Sequence, residues 1–287
     1  MGAIDEWVTH PKKASKQADV VVLSVPSSDS HTYFEVLGED FKPGTLLLDA
    51  GLLKSPNITW ATELLQVAYH YIGITPVVGP PDQFADPASQ TTPRADLFQD
   101  GIVAMVIPPK TDEQAVNLAL HLVNTMGATT FFLDATEHDA VMATVETLPQ
   151  LVSAALMRMA AQAHNWREIQ RIAQHSFAQA TKQREAHVAK AQAAQWLLNR
   201  ENLLHKVDAM MLELQELKEL IRAQDEEKLA EHLAEASLAR ETWLAAREHG
   251  DWGGQEVAPA KPLETPSFIS SFLGLRPRRS KGDEQDS

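Results

Sequence analysis

Ser24, Ser27 and Ser28 follow the run Ala18-Asp19-Val20-Val21-Val22-Leu23 and enclose Val25-Pro26. Hydroxyls in the turn after a buried strand can bond a nucleotide ribose or a nicotinamide, and can equally be ordinary turn residues. Histidine is the second chemistry-bearing type, with eleven copies and no cysteine beside them. None shows a ligand spacing such as H-E-x-x-H, so no metal centre is expected. The lack of cysteine also removes thiolate nucleophiles, disulfides and Cys-ligated metals. His138 lies between Glu137 and Asp139 where a helix is expected to begin, and the reading there is a capping or surface role. His164, His175, His187, His205 and His232 fall on helical stretches and read as solvated or interface residues. No G-x-S-x-G turn, P-loop or paired-carboxylate arrangement stands out.

The elements that must position these groups begin with that first apolar run. A continuous β-branched segment ending in Pro26 reads as a parallel strand covered on both faces. In a dinucleotide-binding fold it would follow a first strand, a G-x-G-x-x-G turn and a helix. Only Gly2 lies upstream, and nowhere are two glycines separated by a single residue. The expectation is therefore a nucleotide-binding fold entered partway through, with an uncovered strand edge.

Further strands are predicted over 45–48, 68–74, 102–107 and 129–133, with helices over 29–37, 58–65 and 112–126. This alternation reads as an α/β domain over 1–134. The stretch 77–93, rich in Pro, Asp, Gln and Thr, reads as a long surface loop. From Glu137 to about Arg247 the pattern is helical throughout. There Leu203, Val207, Met210, Leu214, Leu217 and Ile221 form an a/d seam, suited either to the chain's own bundle or to a subunit contact. Gln224-Asp225-Glu226-Glu227 reads as a helix break and restart. A last helix carries Leu229, Leu233, Leu238 and Trp243. The expected division is 1–134, an all-helical 135–249 and a disordered tail over 250–287. In that tail Phe268, Ile269, Phe272, Leu273 and Leu275 precede Arg276, Arg278 and Arg279, a pattern that also suits a short amphipathic motif.

Composition narrows the functional classes. The 287 residues carry a formal charge of −14, which argues against an extended nucleic-acid surface. Hydrophobic residues make up 44% and charged residues 22%, ordinary proportions for a globular chain. No apolar run approaches the roughly 20 residues that span a bilayer, and the N-terminus lacks a signal-peptide core. A cytoplasmic protein is the simplest fit.

Several segments together resemble the prephenate and arogenate dehydrogenase family. Met1-Gly2-Ala3-Ile4-Asp5-Glu6 is similar to the family's segment after its second helix, and 18–26 to its "ADLVVLAVP" strand. Lys42-Pro43-Gly44-Thr45 and Asp49-Ala50-Gly51-Leu52-Leu53-Lys54 match its "KPG" turn and "DVGSVK" segment. Arg94-Ala95-Asp96-Leu97-Phe98, Met126-Gly127-Ala128, Glu137-His138-Asp139, Leu148-Pro149 and Asn199-Arg200-Glu201-Asn202-Leu203-Leu204 follow in the family's order. The resemblance covers about residues 1–247. It implies a Rossmann-type domain, incomplete at its N-terminus and lacking the glycine-rich loop, followed by an all-helical domain that forms a homodimer, with the active site between them. It also implies NAD or NADP as cofactor, hydride transfer from a ring hydroxyl, and aromatisation with loss of carbon dioxide. Ser24, Val25 and Pro26 are the cofactor-facing positions on this resemblance.

Compared position by position, the chemistry of this chain departs from the family's. The "HPM" histidine that bonds the reacting hydroxyl falls at Thr75, which has no useful pKa near neutrality. The serine of "DVGSVK" falls at Leu52, and the two histidines of "SHLPH" at Thr147 and Gln150. Phe177-Ala178-Gln179-Ala180-Thr181-Lys182 lines up with "FRDTTR", so its Asp becomes Gln179 and its carboxylate-clamping Arg becomes Lys182. Lysine keeps the charge but loses the two-pronged geometry; an alternative alignment puts Arg171 in that role. Each changed group carries roughly ten- to ten-thousand-fold in such sites, so low turnover is expected. Three readings stand: an impaired, N-terminally truncated dehydrogenase of this family; a non-catalytic member kept for binding or regulation; and a dehydrogenase for another substrate.

Overall fold

The computed structural model describes residues 4–37, 41–65, 69–80 and 94–250. The tail motif at 268–279 and most of the 77–93 loop lie outside the described residues, as does residue 68 of the third predicted strand. After a short helix α1 (Pro11–Ser15) come β1 (Val20–Leu23), α2 (Ser27–Leu37), β2 (Thr45–Asp49), α3 (Ser55–Leu64) and β3 (Tyr69–Val77). Then follow β4 (Ile102–Val106), α4 (Glu113–Thr125) and β5 (Thr129–Phe132). The strands form one sheet in the order β1-β2-β3-β4-β5. β1, β2 and β3 are parallel, β4 runs antiparallel to β3, and β5 is parallel to β4.

Burial follows the period-two alternation of side chains along each strand. Leu46, Leu48, Ile72 and Ile74 face one side, where Val103, Met105 and the small α4 residues Ala115 and Ala119 complete a core. Leu47 and Tyr71 face the other, against Phe34 and Leu37 of α2 and Ala61 of α3. All five residues of β2 are buried, as suits a strand covered on both faces. β1 was expected to be such a strand and is not: it is the edge of the described sheet, and Val22 is 60% exposed. Its β-branched run reflects strand propensity rather than double-sided cover.

Asp112 caps α4 by accepting a bond from the Gln114 amide, and α4 ends at Gly127, whose φ of 74° is a left-handed conformation. That backbone conformation is what favours glycine, since a Cβ there would meet only the movable end of the exposed Gln99 side chain.

Beyond the sheet come α5 (Ala135–Met142), a π-helical turn at Ala143–Thr147, and α6 (Leu148–Ala161). These three are one continuous helix, with the wide turn just before Pro149. A proline ring inside a helix clashes with the carbonyl four residues back and supplies no N–H; opening to i→i−5 bonding relieves both. The Leu148 amide accordingly bonds Ala143 O. This helix is long and apolar enough to cross a bilayer, with a mean hydropathy of 1.3, although the sequence shows no long uncharged run. Its polar groups have partners within the protein: Asp139 receives two backbone amides and Glu146 pairs with Arg184.

The remaining helices are α7 (Trp166–Ile172), α8 (His175–Ala180), α9 (Ala189–Leu198), α10 (Arg200–Ala223) and α11 (Glu226–His249). The predicted break is present: Gln224 takes φ 55° and Asp225 caps α11 by accepting from Lys228 N. The heptad seam divides along α10. Leu203 is buried in the chain's own bundle, whereas Leu214 and Ile221 are 56% and 63% exposed. At the far end of α11, the Arg247 guanidinium donates to Val78 O at 2.8 Å and ties the last helix back to the sheet domain.

Candidate active site

β3 extends past its parallel neighbours. Asp49, the last residue of β2, is in register with Gly73, so Thr75 lies beyond the carboxyl end of β2. That edge is where open α/β sheets bind ligands. Thr75 Oγ1 is 2.8 Å from His138 Nε2, and His138 Nδ1 is 3.0 Å from Asp139 Oδ1. The reading of His138 as a capping or surface residue is overturned: it is 1% exposed, and the α5 cap is Asp134, which accepts from the Glu137 amide. Two flanking acids look like a solvated face in sequence, but one of them points inward.

Asp139 is held from several sides. Its Oδ1 and Oδ2 accept the Lys54 and Ser55 amides, at 2.8 and 2.9 Å, from the start of α3. A helix N-terminus presents unsatisfied N–H groups and favours negative charge. Burial pushes the Asp139 carboxyl upward, but the bonds from His138 and from the Lys54 and Ser55 amides outweigh it and hold the carboxyl below its ordinary value. An ionised Asp139 can accept an Nδ1 proton, and in the tautomer protonated only there Nε2 is the acceptor for the Thr75 hydroxyl. Asn199 secures the backbone here by donating from Nδ2 to Asp139 O at 2.8 Å.

Behind Thr75 lies a second buried cluster. Lys54 Nζ donates to Asp49 O, Gly51 O and Ile74 O, joining the ends of β2 and β3. Gly73 makes room for it, since a Cβ there would meet Lys54 Cδ at 2.7 Å. Burial lowers the Lys54 pKa to about 8, against the opposing pull of Asp49 and Asp139. Asp49 accepts from Gly51 N, Asn57 Nδ2 and Tyr71 OH. Burial, then the Asp49 carboxylate, raise the Tyr71 hydroxyl well above its ordinary value. Lys54 with its three carbonyl acceptors is a structural clamp that fixes the turn carrying Leu52.

The other expected site residues fall into two groups. Ser24, Val25 and Pro26 form the turn at the carboxyl end of β1, and Leu52 lies half-buried in the turn after β2, so both share the edge that holds Thr75. Thr147 and Gln150 lie further along the helix, about 13 and 18 Å past His138 on its axis. Thr147 is buried, and Gln150 donates to Glu146 and accepts from Gln192. Glu146 also receives Arg184, at 2.7 Å. Lys182 and Gln179 are exposed, and the Lys182 carbonyl accepts from Ser153 Oγ, which binds α6 to the segment after α8. Among the described residues, no group of three His, Asp or Glu is placed to hold a metal ion.

Comparison with known proteins identifies the family. Residues 1–132 match the family model described as prephenate dehydrogenase, nucleotide-binding domain, and residues 134–235 match prephenate dehydrogenase, dimerization domain. The chain belongs to the prephenate dehydrogenase family. It is 23% identical over 256 residues to the prephenate dehydrogenase of Bacillus subtilis, covering 87% of this chain and 66% of that protein's length. In fold it is similar to the arogenate dehydrogenase of Synechocystis, with a TM-score of 0.66, 19% identity and 81% of each chain covered. It is likewise similar to Aquifex aeolicus prephenate dehydrogenase in complex with hydroxyphenyl propionate and NAD+, with a TM-score of 0.65, 21% identity, and 80% of this chain and 78% of that one covered. The architecture is thus the family's Rossmann-like α/β domain followed by its helical domain.

Membership of the prephenate dehydrogenase family implies a dinucleotide, and the residues at the sheet edge fit its nicotinamide end. Ser24 and Pro26 are exposed and Val25 half-buried, giving a hydroxyl and an apolar surface for a ribose and a planar ring. The sequence holds no G-x-G-x-x-G motif, so that motif supplies no cradle for the pyrophosphate. His138 is the functional residue that sequence reasoning missed. The available signal was Glu137-His138-Asp139 itself, the one site where a histidine and its carboxylate orienter adjoin at a helix start within the matched family order.

Proposed function

We propose that this chain is an NAD(P)-dependent dehydrogenase of a cyclohexadienol carboxylate, of the prephenate or arogenate kind, working more slowly than its relatives. The observation that carries this reading is Thr75: a hydroxyl at the carboxyl edge of a parallel sheet, beside the cofactor-facing turn 24–26, backed by His138 and Asp139. The names of the Bacillus subtilis and Synechocystis relatives supply the substrate class, and the Aquifex structure supplies NAD+ as a cofactor of that fold. Bound at the carboxyl ends of β1 and β2, an oxidised nicotinamide would accept hydride. The chain's own residues orient the substrate and polarise its hydroxyl. Slow turnover follows from Leu52, which offers no donor, from Gln150, which is engaged by Glu146 and Gln192, and from Lys182, a single-pronged charge for a carboxylate. A domain boundary after residue 134, a tail from 250 onward, a homodimer built on the exposed faces of α10 and α11, and a cytoplasmic setting belong to the same reading.

A second reading has an observation of its own. Leu52, Thr147, Gln150 and Gln179 together replace polar or basic groups that the family resemblance assigns to the substrate, which favours a dimeric binding protein without turnover. A related dehydrogenase for a different alcohol is the remaining alternative. The full chain, incubated with prephenate and with arogenate and with NAD and NADP in turn, separates these. Growth of reduced-nicotinamide absorbance with either acid supports the first reading. Absence of turnover in all four mixtures, with a dimer still present in sedimentation, would overturn the first reading and leave the binding protein and the dehydrogenase for a different alcohol.

A further inference from the structure

We propose that Thr75 is the catalytic residue of this site, acting as the first member of a hydroxyl–imidazole–carboxylate relay in which His138 and Asp139 are the positioning residues. This rests on the dehydrogenase reading for its substrate, an alcohol, but the relay is defined by the geometry of the three residues. Alone, a threonine hydroxyl cannot take a proton near neutrality. Bonded to an imidazole nitrogen, it can pass one on, as a serine does in hydrolytic triads.

The relay assigns one hydrogen-bond direction at each step. The two α3 amides and Asn199 hold Asp139 in place. Asp139 accepts from His138 Nδ1 at 3.0 Å, so the neutral ring has its lone pair at Nε2. Nε2 then accepts the Thr75 hydroxyl at 2.8 Å. Thr75 Oγ1 keeps lone pairs for an incoming donor, and Thr75 is half-buried where His138 is fully buried, so only the hydroxyl is open to a ligand. Strand register aims it: Tyr71 and Gly73 face α2 and α3, and Thr75 continues that alternation past the end of β2 to meet α5.

The substrate O–H donates its proton to Thr75 Oγ1 while the Thr75 proton moves to His138 Nε2, giving an imidazolium beside the Asp139 carboxylate. An oxidised nicotinamide bound at the sheet edge would take the hydride released as the carbinol C–H bond breaks, and the C–O bond would become a carbonyl. When the ring carboxylate leaves as carbon dioxide, its electron pair aromatises the ring, and the proton returns along the same path to the phenol oxygen. The relay therefore stores one proton during oxidation and is unchanged after turnover.

The test uses the full chain with isotope-labelled imidazole nitrogens, followed by NMR. His138 is expected as the Nδ1–H tautomer, with its Nε2 resonance displaced in Thr75→Val, a change that keeps side-chain shape. Adding 3-(4-hydroxyphenyl)propionate is expected to move the Nε2 resonance in the unaltered chain and not in Thr75→Val. In kinetics, kcat is expected to fall about a hundredfold or more in Thr75→Val with KM little changed, and to be largely restored in Thr75→Ser. An Nε2–H tautomer, or a His138 resonance indifferent to Thr75→Val, would overturn the relay even in a chain with no turnover. Unchanged kcat in Thr75→Val would overturn its catalytic role. Absent turnover with the expected spectra would count against the dehydrogenase reading while leaving the relay supported, so the two failures are distinguishable.

Discussion

Lys54 and Asp139 meet through the backbone: the Lys54 amide donates to Asp139 Oδ1 at 2.8 Å across 85 positions of sequence. One carboxylate thus caps a helix of the sheet domain while belonging to the first helix of the following one. The Lys54 side chain turns the other way, into the carbonyls of Asp49, Gly51 and Ile74. The geometry at Thr75 depends on both halves of this arrangement.

Asp139→Asn is expected to destabilise the fold by about 1–3 kcal/mol, because an amide cannot accept both backbone bonds and the His138 bond. The pH dependence has a definite sign. A carboxyl held below its ordinary value in the folded state contributes stability that is complete above about pH 4 and is lost as pH falls through the folded value. Denaturant melts at descending acid pH are expected to show a shallower loss in the variant than in the unaltered chain.

Lys54 works in the opposite sense. Its folded pKa is lowered to about 8 from 10.5, so between those values the unfolded chain binds the extra proton and folding is favoured as pH rises. The stability of the unaltered chain relative to Lys54→Met is therefore expected to increase across that window. A flat difference, measured by urea unfolding, would show that the amine is not desolvated.

Leu52→Ser places a hydroxyl in the turn that the Lys54 clamp fixes, beside the expected nicotinamide position. The expected result is a gain of about tenfold or more in kcat/KM with prephenate or arogenate. An unchanged value would separate Leu52 from the substrate.

Leu214→Glu tests the exposed half of the α10 seam. A charge at a 56% exposed apolar position costs a monomer little, but costs much inside a subunit contact. Sedimentation is expected to shift from dimer to monomer while helical circular dichroism is retained.

Much of this fold is written in local patterns. The apolar runs at 45–49 and 102–106 are strands, Asp112 and Asp225 cap helices as their types suggest, and the break at Gln224 lies where polar residues interrupt the heptads. The reversed direction of β4 could not be read, because an apolar strand has the same alternation either way and its long connection hides the turn. β1 was read as covered on both faces because a β-branched run does not reveal that Val22 is exposed, although an open strand edge was expected. The heptad spacing identified a seam but not its partner, so Leu203 and Leu214 looked alike. His138 was missed for a related reason. Its neighbours in sequence are charged, whereas its neighbours in space, Thr75 and the start of α3, are 63 and more than 80 positions away.

The Lys54 and Ser55 amides on the Asp139 carboxylate set a limit on motion. Swinging the two domains apart about α5 would strand two amide donors and an ionised acid without partners at one point. Such a joint behaves as a rivet rather than a hinge.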